Sequence, residues 1–273
     1  MVRHCSPGWR PEGQVNSQSR VEIVDTHCHL FLMDGEPGAI VEAARGADVM
    51  AFVCAGVDAE SSRRSQELAD GIAGVFATAG VHPHSASEFD AYAGSAVEGL
   101  LADPRVVAVG ETGLDYYRMN SPADEQRKAF KAHCGLARET GKPIVVHTRE
   151  AWDDVLAILE EESVERVVLH CFSGDAVIAK EVAARRYFCS FAGNISYPKN
   201  EALRLAAAEI PGDRVLVETD SPFLAPQSLR GKDNSPANLR LVLDALAAAR
   251  GEDPVQLAET TTRNARDAFA LPA

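Results

Sequence analysis

From Val21 onward, short apolar runs rich in β-branched residues alternate with longer stretches whose apolar residues return every three to four positions. Runs of the first kind suit buried strands, and stretches of the second kind suit the helices that cover them. The runs that read as strands are Glu22–Asp25, Val49–Ala55, Gly74–Ala79, Val106–Val109, Pro143–Val146, Arg166–Leu169, Tyr187–Phe191 and Arg214–Glu218. Between them, Ala123–Thr140 places Phe130, Leu136 and Ala137 at helical spacing and stops at Gly141-Lys142-Pro143. Ala151–Glu162 and Asp175–Arg186 read as amphipathic helices, and Pro236–Ala270 as a helical close. Strands that alternate one by one with helices predict an α/β fold with a parallel sheet.

Eight such strands make either an open doubly wound sheet or a closed barrel, and periodicity alone does not choose. The polar residues do. An open sheet gathers its ligands at one switch point, whereas a barrel spreads functional groups over the carboxyl ends of many strands. Here they follow several runs, and neither G-x-G-x-x-G nor a P-loop follows the first strand. A single (β/α)₈ TIM barrel over residues 21–273 is the expected architecture, with the Ser-, Gly-, Pro- and Gln-rich residues 1–20 as a disordered tail.

Composition narrows the class. The chain of 273 residues, 46% of them hydrophobic, suffices for one large core. No apolar stretch is long enough for a transmembrane helix or a secretory leader, so a cytoplasmic protein without membrane contact or an obligate protein partner is expected. Cys5, Cys28, Cys54, Cys134, Cys171 and Cys189 contain no C-x-x-C pair and read as reduced thiols. A formal net charge of -13 disfavours gripping duplex DNA through a broad basic face. Bound divalent cations would invert that sign locally in a carboxylate-lined pocket.

Asp25-Thr26-His27-Cys28-His29 closes the first strand. Residues two apart in a strand share a face, so His27 and His29 can reach one metal, with Asp25 beside them and Cys28 turned into the packing. His147 and His170 each end an apolar run, a costly way to build a core and an economical way to present an imidazole. Glu111 and Asp220 also follow strand runs. Four imidazoles and two carboxylates suit two divalent ions, with Glu111 placed to bridge them and Asp220 able to ligate one and accept a proton from water. Glu218, two residues before Asp220, reads as a support for a ligand histidine or a water.

These residues resemble the TatD family of metal-dependent deoxyribonucleases, in the amidohydrolase superfamily of TIM barrels. The resemblance spans about residues 23–270 and rests on six ordered motifs. They are Asp-Thr-His-Cys-His at 25–29, Gly-Val-His-Pro-His at 80–84, Gly-Glu-Thr-Gly-Leu-Asp-Tyr at 110–116, Val-His-Thr-Arg at 146–149, His-Cys-Phe-Ser-Gly at 170–174 and Glu-Thr-Asp-Ser-Pro-Phe-Leu at 218–224. It implies hydrolysis of phosphodiester bonds, chiefly from a 3′ end of single-stranded DNA, with two divalent cations. By position, His27, His29, Glu111 and Asp220 would hold the first ion, and Glu111, His147 and His170 the second. His82 would contact the scissile phosphate, and Arg149 would clamp phosphate. Three positions depart from the pattern: Phe31 and Asp233 stand where an acidic residue and an arginine are common, and Ser235 where a glutamate is.

Zn²⁺, Mn²⁺, Co²⁺ and Mg²⁺ all suit a mixed histidine and carboxylate site. Related barrels act on lactones, amides or phosphotriesters, several with a modified lysine bridging the ions at the end of strand four, where this chain has Val109-Gly110-Glu111 and no lysine. The same site would also serve D-aminoacyl-tRNA esters, and a barrel that binds metal without catalysis is the remaining alternative.

Overall fold

The computed structural model describes residues 21–272. The segment 1–20, expected as a tail, lies outside the described residues. Eight strands run in order, all parallel to their neighbours: β1 (Ile23–Cys28), β2 (Val49–Ala55), β3 (Val75–Ala79), β4 (Val106–Asp115), β5 (Ile144–Arg149), β6 (Val167–Leu169), β7 (Phe188–Phe191) and β8 (Val215–Val217). The ring closes where the chain beyond β8 meets the end of β1. His29 N–H donates to the Ser221 carbonyl at 2.8 Å and Asp220 N–H to the His27 carbonyl at 2.9 Å. The expected TIM barrel is therefore the observed fold.

The helices are α1 (Pro37–Arg45), α2 (Ala59–Gly71), α3 (Ala91–Leu101), α4 (Ala123–Thr140), α5 (Trp152–Glu161), α6 (Ala176–Ala184), α7 (Glu201–Glu209), α8 (Leu239–Arg250) and α9 (Pro254–Phe269). Their starts carry carboxylate caps: Asp58, Asp90, Asp175 and Asp253 each accept from backbone N–H groups of the first turn. Gly141 and Gly251 end α4 and α8 in the left-handed conformation that glycine tolerates. The helical close consists of two helices, because Gly251 ends the first and Asp253-Pro254 starts the second.

Two apolar clusters make the core. The larger lies between the strands and the surrounding helices and includes Phe130, Leu156, Phe172, Val182 and Leu243. The smaller gathers Val24, Val53, Ala108, Val145, Val168 and Leu216 from six strands together with Ala265, Ala268 and Phe269 of α9. Side chains from six strands meet only inside the ring, so α9 plugs its lower end. Asn264 ties the plug in place by donating to the Gly212 and Val215 carbonyls. Apolar filling below leaves polar side chains at the upper, carboxyl-terminal mouth, where barrel enzymes place their chemistry. No helix among the described residues is long and apolar enough to cross a membrane.

Candidate metal centre

Three strands are longer at their carboxyl ends than hydrophobicity indicates. β1 extends to Cys28, β4 to Asp115 and β5 to Arg149. The polar extensions of β4 and β5 stay paired, with Gly113 opposite His147 and Asp115 opposite Arg149. This pairing fixes Glu111 and His147 on the rigid wall of the barrel instead of a loop. Glycines make room for it: a Cβ on Gly80 would come within 2.5 Å of the Gly110 Cα, and one on Gly113 within 2.1 Å of the His147 carbonyl oxygen.

Glu111 is the hub, 3% exposed and facing five imidazoles. Its Oε2 lies 3.3 Å from His27 Nε2 and 3.9 Å from His29 Nε2, and Asp220 Oδ1 lies 3.4 Å from His29 Nε2 and 3.9 Å from His27 Nε2. Its Oε1 lies 3.1 Å from His147 Nδ1, 3.3 Å from His170 Nε2 and 3.4 Å from His82 Nε2. Donors about 2.0–2.2 Å from a tetrahedral ion stand roughly 3.3–3.6 Å apart, close to these separations. The donor chemistry fits divalent cations on both sides of the carboxylate.

Outer partners decide which ring nitrogen offers a lone pair. His29 Nδ1–H donates to the Ala55 carbonyl at 2.9 Å and His170 Nδ1–H to Glu218 Oε1 at 2.8 Å, so in the neutral rings both Nε2 atoms would offer their lone pairs toward the centre. His147 is reversed. Its Nε2–H points at Asp115 Oδ2, 3.3 Å away, so Nδ1 faces Glu111 with its lone pair. His82 differs in kind: its Nδ1 accepts the His84 N–H at 3.1 Å, so Nε2 carries the proton and faces the centre as a donor. His27 Nδ1 is buried with no hydrogen-bond partner among the described residues.

Electrostatics agree with a centre built for cations. Burial would raise the pKa of Glu111, yet the His82, His170 and His27 imidazoles outweigh it and hold the carboxyl well below its ordinary range. Asp220 is likewise pushed up by burial and held low overall, mainly by the hydrogen bond with His29. Burial pushes His82 down to about 4, consistent with a neutral ring. Asp25 turns its carboxylate to Thr219, accepting from its N–H at 2.9 Å and its Oγ1–H at 2.6 Å. It thereby links β1 to the segment that carries Asp220.

All six residues expected as ligands, His27, His29, Glu111, His147, His170 and Asp220, converge at this mouth, and His82 joins them. Arg149 does not touch the cluster. It is exposed, with its guanidinium 3.8 Å from the ring centroid of Tyr117. Two participants escaped the sequence reading. Asp115 is 1% exposed and accepts from the Tyr117 and Arg118 N–H groups at 3.0 and 2.8 Å, and His84 Nε2–H donates to it at 2.9 Å. The usable signal was period two, since Asp115 lies four residues after Glu111 in an apolar strand.

A parallel eight-stranded barrel with buried imidazoles around a shared carboxylate at its carboxyl-terminal mouth is the architecture of a metal-dependent TIM-barrel hydrolase. The family is narrower than that. The model of the TatD-related DNases matches residues 24–270, and the chain belongs to that family. It is 39% identical over 259 residues to the metal-dependent hydrolase TatD of Mycobacterium tuberculosis, covering 91% of this chain and 98% of the relative. It is 35% identical over 239 residues to the 3′-5′ ssDNA/RNA exonuclease TatD of Klebsiella pneumoniae, covering 85% and 91%. The crystal structure of the TatD homologue YJJV from Escherichia coli superposes with a TM-score of 0.87 at 27% identity, covering 92% of this chain and 99% of that one.

Proposed function

We propose that this hydrolase removes nucleotides from the 3′ end of single-stranded DNA or RNA with two divalent ions. The observation that carries the reading is the Glu111 carboxylate, whose two oxygens face two separate donor sets. His27, His29, Asp220 and Glu111 Oε2 would hold one ion; His147, His170 and Glu111 Oε1 would hold the other. Zn²⁺, Mn²⁺, Co²⁺ or Mg²⁺ in these positions would lower the pKa of a water and neutralise phosphate oxygens. The similarity to the 3′-5′ ssDNA/RNA exonuclease TatD of Klebsiella pneumoniae supports the strand-end substrate.

Within this reading the chain's own groups divide the work. Asp220 is held ionised and stands ready to take the proton of the attacking water. Nε2–H of His82 donates to a phosphate oxygen, the role left to it by the commitment of Nδ1 to the His84 N–H. Arg149, preoriented on Tyr117, takes a phosphate beyond the reacting one. Glu218 and Asp115 hold the His170 and His147 rings in the tautomers that face inward.

End-labelled single-stranded DNA incubated with metal-loaded protein tests the reading, beside lactone and aminoacyl-ester substrates and an Asp220→Asn variant. Chelator-sensitive shortening from the 3′ end, lost in a variant that still takes up metal, is the expected result. Selective turnover of a lactone or an ester with intact DNA would overturn it.

A further inference from the structure

Positive charge on this acidic protein is distributed unevenly. Among the described residues, Arg64, Arg118, Arg149, Lys199, Arg230 and Lys232 have no carboxylate within 4.0 Å and no hydrogen bond to a carbonyl. All six stand at the upper mouth. Arg64 is near the start of α2, Arg118 follows β4, Arg149 ends β5, Lys199 follows β7, and Arg230 and Lys232 follow β8. Elsewhere on the described surface the cations are matched, as Lys131 is to Glu161, Arg138 to Glu162 and Arg186 to Asp213. Arg263 on α9, which donates to Thr260 Oγ1, is the exception. The mouth has acids of its own, Glu150 and Asp233 among them, yet they leave these six cations unpaired.

Three of the six are mounted on aromatic rings. Arg64 lies 5.8 Å from the centroid of Phe31, Arg149 3.8 Å from Tyr117 and Arg230 4.5 Å from Tyr197. Because strand order follows the sequence, the pairs lie above β1/β2, β4/β5 and β7/β8 and so surround the centre. Phe223, half exposed, adds a ring 6.0 Å from that of His29. A guanidinium laid on a ring keeps its edge N–H groups free and directed, and the remaining aromatic edge accepts a base. Phe31 matters doubly here, since an acidic residue at that place would neutralise Arg64.

We propose that this rim is a docking annulus for a single strand of several nucleotides, in which Arg64 on Phe31 and Arg230 on Tyr197 hold phosphates and bases away from the one being cleaved. The inference rests on the strand-end reading above and extends it: the substrate is a multiply charged, unstacked chain instead of a small ester. Three arcs of free cations with apolar platforms between them match the alternation of phosphate and base in such a strand. They do not match a compact monoanion.

The test is anisotropy of a labelled twelve-nucleotide oligothymidylate with cleavage-resistant phosphorothioate linkages, added to the metal-loaded full chain at about 50 and 200 mM KCl. Each phosphate contact on a single strand contributes roughly 0.7 to the salt slope, so an R64Q/R230Q variant should lose about sevenfold of the affinity change between those salts. An R64K/R230K variant, which keeps the charge, should restore it. Identical slopes in the wild type and R64Q/R230Q would overturn the annulus, and with 3′ cleavage intact would leave the nuclease reading standing. A slope that depends on Arg64 and Arg230 without any metal-dependent cleavage would support the annulus and overturn the nuclease reading. A duplex of equal length, whose bases are stacked on each other, should bind about tenfold more weakly; equal binding would also overturn the proposal.

Discussion

His133 makes a quantitative prediction about acid. It sits on α4 with no exposure, donates from Nδ1–H to the Ala129 carbonyl at 2.7 Å and accepts the Val81 N–H on Nε2 at 3.0 Å. Both ring nitrogens are thus committed in the neutral form, and a second proton would drive Nε2–H against Val81 N–H. Burial pushes the pKa down from 6.5 to about 4. Above about pH 6.5 neither state is protonated and the contribution is intact. Between about 6.5 and 4 the unfolded chain binds a proton that the folded chain refuses, so stability falls as pH falls, by about 3 kcal/mol over the window. Urea unfolding in chelator at about pH 7, 5.5 and 4.5, for the wild type and His133→Leu, measures it. At neutral pH the variant should be less stable by about 1–3 kcal/mol, because the Val81 N–H loses its acceptor. Toward pH 4.5 the gap should shrink or reverse by about 3 kcal/mol, since leucine does not titrate. His133→Gln, which keeps an acceptor without titrating, should show the same flattened profile with a smaller neutral-pH cost. Parallel stability profiles in all three proteins would refute the reasoning. The consequence reaches the site, because Val81 precedes His82.

Replacing Asp115 by Asn removes the acceptor that fixes the His147 tautomer, and should weaken one of the two ions about 10–100-fold in a calorimetric metal titration while the other site keeps its affinity. His82→Ala should retain both ions and lower kcat about 10²–10³-fold, the loss expected for one donor aimed at developing charge; a loss of bound metal instead would make His82 a ligand. In Gly80→Ala the new methyl would meet the Gly110 backbone directly before Glu111, so a cost of about 1–3 kcal/mol in unfolding and a fall in metal content should appear together.

How far the site was legible follows from what strand geometry reveals. An imidazole or carboxylate at the end of an apolar β run says little alone, and His27, His29, Glu111, His147, His170 and Asp220 point to metal because all of them stand at such ends together. Barrel topology then follows from their spread over β1, β4, β5, β6 and β8. Hydrophobicity ends too soon, however, where a strand remains paired through polar residues. β4 was expected to stop at Val109 and runs to Asp115, because its polar end bonds to β5 and faces a centre, not solvent. What no local pattern contains is which ligand an outer partner holds: the chain marks Glu218 as a support but not His170 as its partner. His84 meets Asp115 across 31 residues and His170 meets Glu218 across 48, contacts created only when the strands assemble side by side. The same holds for the rim, where Arg64 and Phe31, or Arg230 and Tyr197, are unremarkable one at a time. Ligand residues are therefore readable from the chain as a set, whereas the tautomers that make them ligands, and the free charges that would hold a strand above them, are properties of pairs formed in the fold.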